Sequence, residues 1–259
     1  MKFRSVIILC GGRGTRLGGL GKKTAKALVK IQGKPILWYI LKLLKRNKFN
    51  HFILPIGYKG SQIKGYFSKN KEFKNYNIEI TNTGLNSSIA NRIYSVKDQI
   101  KSENFLILNG DAIFNFDLEK IYNNHKKNNI KMTFISFGVM ANFGTIGVKK
   151  GKVVDFRRNF TFDYAKSKNK KNLKAFVYSG ISIMNIKSLK KNFKNFKNFE
   201  KELYPWIINK FKTNVETPLG FWHSVDNMKD INVANNPLSE ESKYSKIKML
   251  KKIYQKFTT

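Results

Sequence analysis

The chain has 259 residues, enough to bury one α/β domain, and its 41% apolar and 14% aromatic content excludes a disordered polymer. No apolar run approaches the length of a membrane span, so membrane insertion is not expected. Fifty Lys and Arg against 16 Asp and Glu give a net charge of +34, a field that attracts polyanions without specifying one, and the lysines interleave with Asn and Phe like a solvated surface rather than a nucleic-acid module.

The apolar stretch Val6 to Cys10 is too short for a secretion signal, and the lone Cys10 excludes an internal disulfide and fits a reducing cytoplasm, the expected location. Val6 to Leu9 reads as a buried strand, followed by a Gly-rich loop from Gly11 to Gly21. A helix is expected from Pro35, with Ile36, Leu37, Ile40, Leu43 and Leu44 on its apolar face. Phe52 to Ile56 reads as a second strand, its Pro55 pointing to an irregular or edge position, and Ser61 to Phe67 as a short helix. A strand over Asn77 to Thr81 and a helix over Ser87 to Ile100 come next, with Ser87 as a candidate cap. Phe105 to Leu108 is another buried strand, ending abruptly in Asn109-Gly110-Asp111, and Asp117 is placed to cap the helix beyond it.

Met132 to Val139 reads as a strand, and Thr145–Val148 and Lys152–Phe156 flank Lys149-Lys150-Gly151 as a hairpin. Tyr164 to Lys174 is a polar, basic loop, after which Phe176 to Met184 resumes as a strand. Helices are expected over Ile186 to Phe193 and Phe199 to Lys212, then a strand over Phe221 to Val225 and a helix over Met228 to Asn235. Strands alternating with helices predict a largely parallel sheet, with residues 1–237 as one domain and 238–259 as a basic helical tail.

Gly11-Gly12-Arg13-Gly14-Thr15-Arg16 follows a buried strand, where a loop at the carboxyl edge of a parallel sheet binds ligands. Its glycines let backbone N–H groups approach phosphate oxygens, and Arg16 offers a fork of donors to a triphosphate. The loop has neither a Walker Gly-Lys-Ser/Thr ending nor the dinucleotide G-x-G-x-x-G spacing. Asp111 and Asp226 each end an apolar strand, and a hard dication takes carboxylate and phosphate oxygens. His51, His125 and His223 are too scattered for a zinc site, and Cys10 reads as a strand-ending apolar residue without a partner base.

Gly11 to Leu17, Lys26-Ala27-Leu28-Val29 and Gly33-Lys34-Pro35-Ile36-Leu37 together resemble the signature of the sugar-phosphate nucleotidyltransferases. Gly57-Tyr58-Lys59-Gly60, Thr83-Gly84-Leu85-Asn86 and Phe221-Trp222 with Asp226 are similar to the glucose-1-phosphate cytidylyltransferase branch. The resemblance implies a Rossmann-like three-layer α/β sandwich with a mixed, mainly parallel sheet, of the nucleotide-diphospho-sugar transferase type. It also implies displacement at the α-phosphorus of a nucleotide, CTP by branch likeness, assisted by Mg²⁺ with Mn²⁺ as a substitute. Arg16 and Lys26 would be catalytic. Leu9, Gly11, Gly12, Arg13, Gly14, Thr15, Arg16, Ser87, Ser88, Arg92 and Gly110 would bind nucleotide, and Asp111 and Asp226 would hold the metal. The expected partners are CTP and a small phosphorylated acceptor, with a homo-oligomer by family analogy and no specific nucleic acid.

The likeness breaks after the hairpin. Sugar-specific relatives carry Phe-x-Glu-Lys-Pro there, whereas this chain has Phe156-Arg157-Arg158-Asn159. Guanidinium groups suit carboxylate or phosphate better than neutral hydroxyls, so Arg157 and Arg158, with Tyr178, Ser179 and Gly180, are assigned to an acceptor more anionic than glucose 1-phosphate. A phosphorylated amino acid such as L-glutamine phosphate, or a phosphonate, satisfies that description, in a route to capsule or another surface glycan. A plain sugar-1-phosphate nucleotidyltransferase, a nucleotide sensor on the same fold and a nucleic-acid-binding protein are the alternatives.

Overall fold

The computed structural model describes residues 2–138, 145–149, 152–157, 176–188, 196 and 198–235. Strand β1 (Ser5–Leu9) leads into the Gly-rich loop, where Thr15–Leu17 makes a 3-10 turn and Gly19–Lys23 a short helix, α1. Lys26–Leu28 forms a second 3-10 turn, and β2 (Lys30–Ile31) and β3 (Lys34–Pro35) a small hairpin. Helix α2 spans Ile36–Arg46, β4 His51–Ile56, α3 Gly60–Lys69, β5 Asn77–Asn82 and α4 Ile89–Ser95. Strand β6 (Asn104–Asn109) turns at once into β7 (Ala112–Asn115), and α5 (Leu118–Lys127) and β8 (Met132–Gly138) follow. Strands β9 (Thr145–Lys149) and β10 (Lys152–Arg157) form a separate hairpin, and β11 covers Phe176–Asn185. A π-helical turn, Phe199–Leu203, runs into α6 (Tyr204–Lys210), then β12 (Thr213–Glu216), β13 (Phe221–Ser224) and α7 (Met228–Asn235).

The main sheet has seven strands in the order β12-β8-β11-β6-β1-β4-β5. Strand β11 is antiparallel to both neighbours, while the other adjacent pairs are parallel, so β11 alone runs against the sheet. Its first residues therefore lie where β6 ends: Ile181 pairs with Leu108, which brings Tyr178 to Gly180 alongside Asn109.

The strand alternation sorts the core into two layers. Val6 and Ile8 of β1 and Leu106 and Leu108 of β6 pack with α2, α3, α5 and α7. Ile7, Phe105 and Ile107 face the other way, onto α4 and α6. This is the three-layer, mainly parallel sandwich expected. Helix α2 is buried beyond its predicted stripe, because Trp38, Tyr39 and Leu41 are also covered. Each such fully buried large side chain contributes roughly 1.5–3 kcal/mol.

Four expectations change. Strand β4 is interior, not an edge: its register with β1 ends at Ile53, so Pro55 pairs only with β5 and interrupts no ladder on the β1 side. The helix expected over 87–100 is shorter, with Ser88 rather than Ser87 as the cap, accepting from Asn91 N at 3.2 Å. The stretch from Phe199 opens as a π-turn because Asn198 Oδ1 accepts from both Glu200 N and Lys201 N, and α6 stops at Lys210. Strands β7 and β12 were not foreseen; both are only four residues long, below a clear alternating pattern. Asp117 does cap α5, accepting from Lys120 N at 2.8 Å. The loop 164–174, most of the helix expected from Ile186 and the tail 238–259 lie outside the described residues.

Candidate active site

Two adjoining clefts open at the carboxyl edge of β1 and β6, sharing Gly12, Asn109 and Asp111. The first, about 500 Å³, runs from the Gly-rich loop to the segment before α4. The second, about 570 Å³, lies between Arg16, Lys26, the start of β11 and the end of β13. Each is the size of a small-molecule site.

The junction carries the densest charge. Lys26 Nζ lies 2.6 Å from Asp111 Oδ2 and 3.0 Å from Asp226 Oδ1, and Arg16 Nη1 is 3.5 Å from the same Asp226 oxygen. Burial opposes the charge on Lys26, but the two carboxylates outweigh it and raise its pKa above the ordinary lysine value. Burial likewise opposes ionisation of Asp226, yet Lys26, Ser224 and Arg16 hold its carboxyl below the ordinary range. Both groups are therefore ionised at neutral pH.

Residues 200 positions apart meet here through short-range pairing. Strand β13 pairs antiparallel with β7, from Phe221 opposite Asn115 to Ser224 opposite Ala112, and Val225 N donates to Asp111 O at 2.9 Å. That register sets Asp226 beside Asp111. Ser224 Oγ donates to Asp226 Oδ2 at 2.8 Å, and Asp230 Oδ2 accepts from the N–H groups of Asp226 and Asn227. Lys26 is fixed from its other side by Gln62, which accepts from Ala25 N at 2.8 Å and donates to Lys23 O at 2.9 Å.

The first cleft is braced from below. The Arg92 side chain is 5% exposed, and its guanidinium donates to Ile56 O, Thr83 Oγ1 and Leu85 O. It lies so close beneath Gly11 and Gly57 that a Cβ at either would collide with it. Arg13 reaches across the mouth to Asn86 Oδ1 at 2.7 Å, with its guanidinium 5.7 Å from the Tyr58 ring. Ser87 lines the cleft and donates to Thr83 O, with exposed Leu85 and Ile89 as apolar walls.

Of the residues singled out from sequence, Leu9, Gly11, Gly12, Arg13, Ser87 and Arg92 line the first cleft, and Gly14, Thr15, Arg16, Lys26, Tyr178, Ser179, Gly180 and Asp226 the second. Gly110 N instead donates to Leu9 O at 3.1 Å, and Ser88 is committed to its cap. Arg157 ends β10, and Arg158 lies outside the described residues. Gly180 (φ 75°) runs close enough to Asn109 that a Cβ would fall 2.5 Å from its Nδ2. Burial, with Asp111 adding to it, pushes the Cys10 thiol up to about 12, so it stays protonated. His51 and His125 are structural, bonded to Ser5 and Glu79 and to Thr133 and Asn104. Sequence reasoning passed over Glu200, Ser224 and Gln62, and gave no role to Asn109 and Asp230, which it met only within the motifs around Asp111 and Asp226.

Asp111 and Asp226 converge on one cation, and a dication of the Mg²⁺ type uses one or two carboxylates with substrate phosphates. That donor set fits such a metal. Among the described residues no group of three or more His, Cys, Asp or Glu is placed to hold a metal ion by itself.

An open α/β sheet with a Gly-rich loop over one cleft and a lysine clasped by two carboxylates at its edge suits the binding of a phosphorylated ligand. The chain belongs to the nucleotidyl transferase family, whose model, described as "Nucleotidyl transferase", matches residues 5–238, and it is a nucleotidyltransferase. It is similar to a glucose-1-phosphate cytidylyltransferase of Salmonella typhimurium, 26% identical over 86% of this chain and 91% of that one. It is also similar to a D-glycero-alpha-D-manno-heptose 1-phosphate guanylyltransferase of Campylobacter jejuni, 34% identical over 57% of this chain and 65% of that one. The crystal structure of HddC from Yersinia pseudotuberculosis superposes with a TM-score of 0.66 at 18% identity, covering 90% of this chain and 98% of the other, which shows the shared fold. Among the described residues no helix is long and apolar enough to cross a membrane.

Proposed function

We propose that this protein transfers a cytidylyl group from CTP to a small phosphorylated acceptor and releases pyrophosphate. The observation that carries the reading is Lys26 held between Asp111 and Asp226 where the two clefts meet, and we assign the first cleft to the nucleotide and the second to the acceptor. A phosphate oxygen of the acceptor forms a bond to the α-phosphorus. The bond from that phosphorus to the bridging oxygen breaks, and pyrophosphate leaves with the electron pair.

Catalysis of this kind is alignment and charge neutralisation. The loop from Gly11 to Thr15 receives the phosphates on backbone N–H groups, and Arg16 neutralises the leaving pyrophosphate. Lys26 sits against the α-phosphate and the acceptor phosphate, drawing them together. Arg92 acts as a positioning residue, holding Gly11 and the Thr83–Leu85 turn at a fixed separation. Asp111 and Asp226 would hold Mg²⁺, or Mn²⁺ in its place, which would supply further charge stabilisation to the phosphates.

CTP is favoured by the likeness to the Salmonella cytidylyltransferase along most of the chain. For the acceptor, Arg157 and Arg158 favour a compound more anionic than glucose 1-phosphate, such as a phosphorylated amino acid or a phosphonate, used in surface-glycan synthesis. A sugar 1-phosphate is the second reading, supported by both named relatives. The test is pyrophosphate release with CTP, GTP, UTP, ATP and dTTP, each with Mg²⁺ and a panel of sugar 1-phosphates, aminoalkyl phosphonates, choline phosphate and glutamine phosphate. CTP-dependent release with one anionic or amino-acid-like acceptor is expected. Equal use of glucose 1-phosphate by the wild type and an Arg158→Glu variant would count against the anionic acceptor, and silence across the panel against the whole reading.

A further inference from the structure

The motif Gly57-Tyr58-Lys59-Gly60 lines neither of the two clefts, yet it touches the supports of both. It forms the turn between β4 and α3, closed by Gly60 N donating to Gly57 O at 3.0 Å. On one side Gly57 is pressed against the Arg92 guanidinium that underlies Gly11, so closely that a Cβ would collide with it. On another, the Tyr58 ring lies 5.7 Å from the Arg13 guanidinium and 5.3 Å from the Lys59 ammonium. The turn is thereby seated against the Gly-rich loop and the side chain beneath it.

From the same turn, side chains reach the chain that leads into Lys26. Helix α1 ends at Lys23, so its last carbonyls have no donor within the helix. Lys59 Nζ donates to Lys22 O at 2.6 Å and Gln62 Nε2 to Lys23 O at 2.9 Å, while Gln62 Oε1 accepts from Ala25 N at 2.8 Å. Lys26 follows directly. Of these two side chains Lys59 is the one that carries a cost. Its backbone is left-handed (φ 55°, ψ 27°), where glycine is at ease and a residue with a Cβ is strained. Glycines stand at 57 and 60, and the left-handed position between them holds a lysine whose ammonium binds a carbonyl four residues before the reacting lysine.

Resting on the reading of Lys26 as the group that draws the two phosphates together, we infer that Lys59 is a positioning residue for Lys26. It caps α1 from the start of α3 and so fixes the point from which the Lys26 side chain enters the junction. Because the same turn is seated against Arg13 and Arg92, it sets the separation between the Gly-rich loop and Lys26. The contribution of Lys59 falls on the transfer step and not on holding the nucleotide.

The experiment compares the wild type with Lys59→Gly and Lys59→Met, each alone and combined with Lys26→Met. Pyrophosphate release is followed with CTP, Mg²⁺ and the best acceptor of the panel, CTP affinity by calorimetry and Tm by thermal unfolding. Both variants lose the bond to Lys22 O, and kcat is expected to fall about tenfold in each, with CTP affinity within about twofold of wild type. Their stabilities should part: Lys59→Gly relieves the left-handed backbone and keeps a Tm at or above that of the wild type, whereas Lys59→Met retains the strain. In the Lys26→Met background either substitution should cost less than about twofold more, because its effect passes through Lys26. Lys59→Arg, which keeps a donor of similar reach, should restore kcat to within about threefold of wild type. Full kcat in both Lys59→Gly and Lys59→Met overturns the inference and leaves the transferase reading standing. So does a kcat loss that follows a lowered Tm in both, or a tenfold loss that persists on top of Lys26→Met. A wild type that releases no pyrophosphate overturns both.

Discussion

The first cleft, proposed for the nucleotide, is lined by residues 9–13 and 85–92 with Asn109 and Asp111, and the buried Arg92 guanidinium beneath it bonds Ile56, Thr83 and Leu85. The second cleft, proposed for the acceptor and the reacting phosphates, draws Arg16, Lys26, Tyr178, Glu200, Trp222 and Asp226 from separate segments spread over more than 200 residues. The first is built from two contiguous runs of chain and the end of β6; the second is brought together by strand pairing. Under the proposed assignment, side chains contributed by separate segments can be altered one by one without disturbing the Gly-rich loop, and acceptor choice is expected there.

The largest effect is expected at the junction that serves both sides. Lys26→Met removes the charge between the two carboxylates and should lower kcat/KM about a thousandfold in a pyrophosphate-release assay. Next comes the cradle: Gly11→Ala forces its Cβ into Arg92 and should cost about a hundredfold, with the nucleotide KM carrying more of the loss than the acceptor KM. A loss borne equally by both substrates would break the division of labour between the two sides.

A region serving neither side supplies a control. Burial pushes the His125 imidazole down to about 4, with its nitrogens bonded to Thr133 and Asn104. The unfolded chain holds more protons than the folded one between that value and an ordinary histidine pKa, so stability should fall as pH drops through this window. From pH 7 to pH 5 the expected loss is about 2 kcal/mol, read by chemical denaturation, and His125→Gln should flatten the profile. The smallest effect is Ser224→Ala, which deletes one hydrogen bond to Asp226 and should reduce kcat about fivefold without changing nucleotide affinity.

The same contrast explains what was legible beforehand. Gly11 to Arg16 is contiguous and follows a strand of apolar residues, so its place at the cleft could be read from the chain. Asp111 and Asp226 were readable as strand ends, but the pairing of β13 with β7 that joins them is a tertiary register no local pattern encodes. Arg92 stood out as a nucleotide-binding candidate beside Ser87 and Ser88. Its burial beneath Gly11 and Gly57 emerges only when three loops converge. Glu200 was silent because, with Glu202, it lies in a stretch that reads as a solvated helix, and only the fold brings that turn to the second cleft. The interior place of Pro55 was misread for a related reason: proline signals a missing donor, but which neighbour needs that donor depends on where β1 ends.

The most direct test of the account is mass spectrometry of reactions containing CTP, Mg²⁺ and the acceptor panel, run with wild type and Lys26→Met side by side. The account predicts a cytidylyl–acceptor conjugate and stoichiometric pyrophosphate from the wild type, with both reduced about a thousandfold in the variant. Undiminished conjugate from Lys26→Met would contradict the assignment of the Lys26–Asp111–Asp226 junction as the site of transfer.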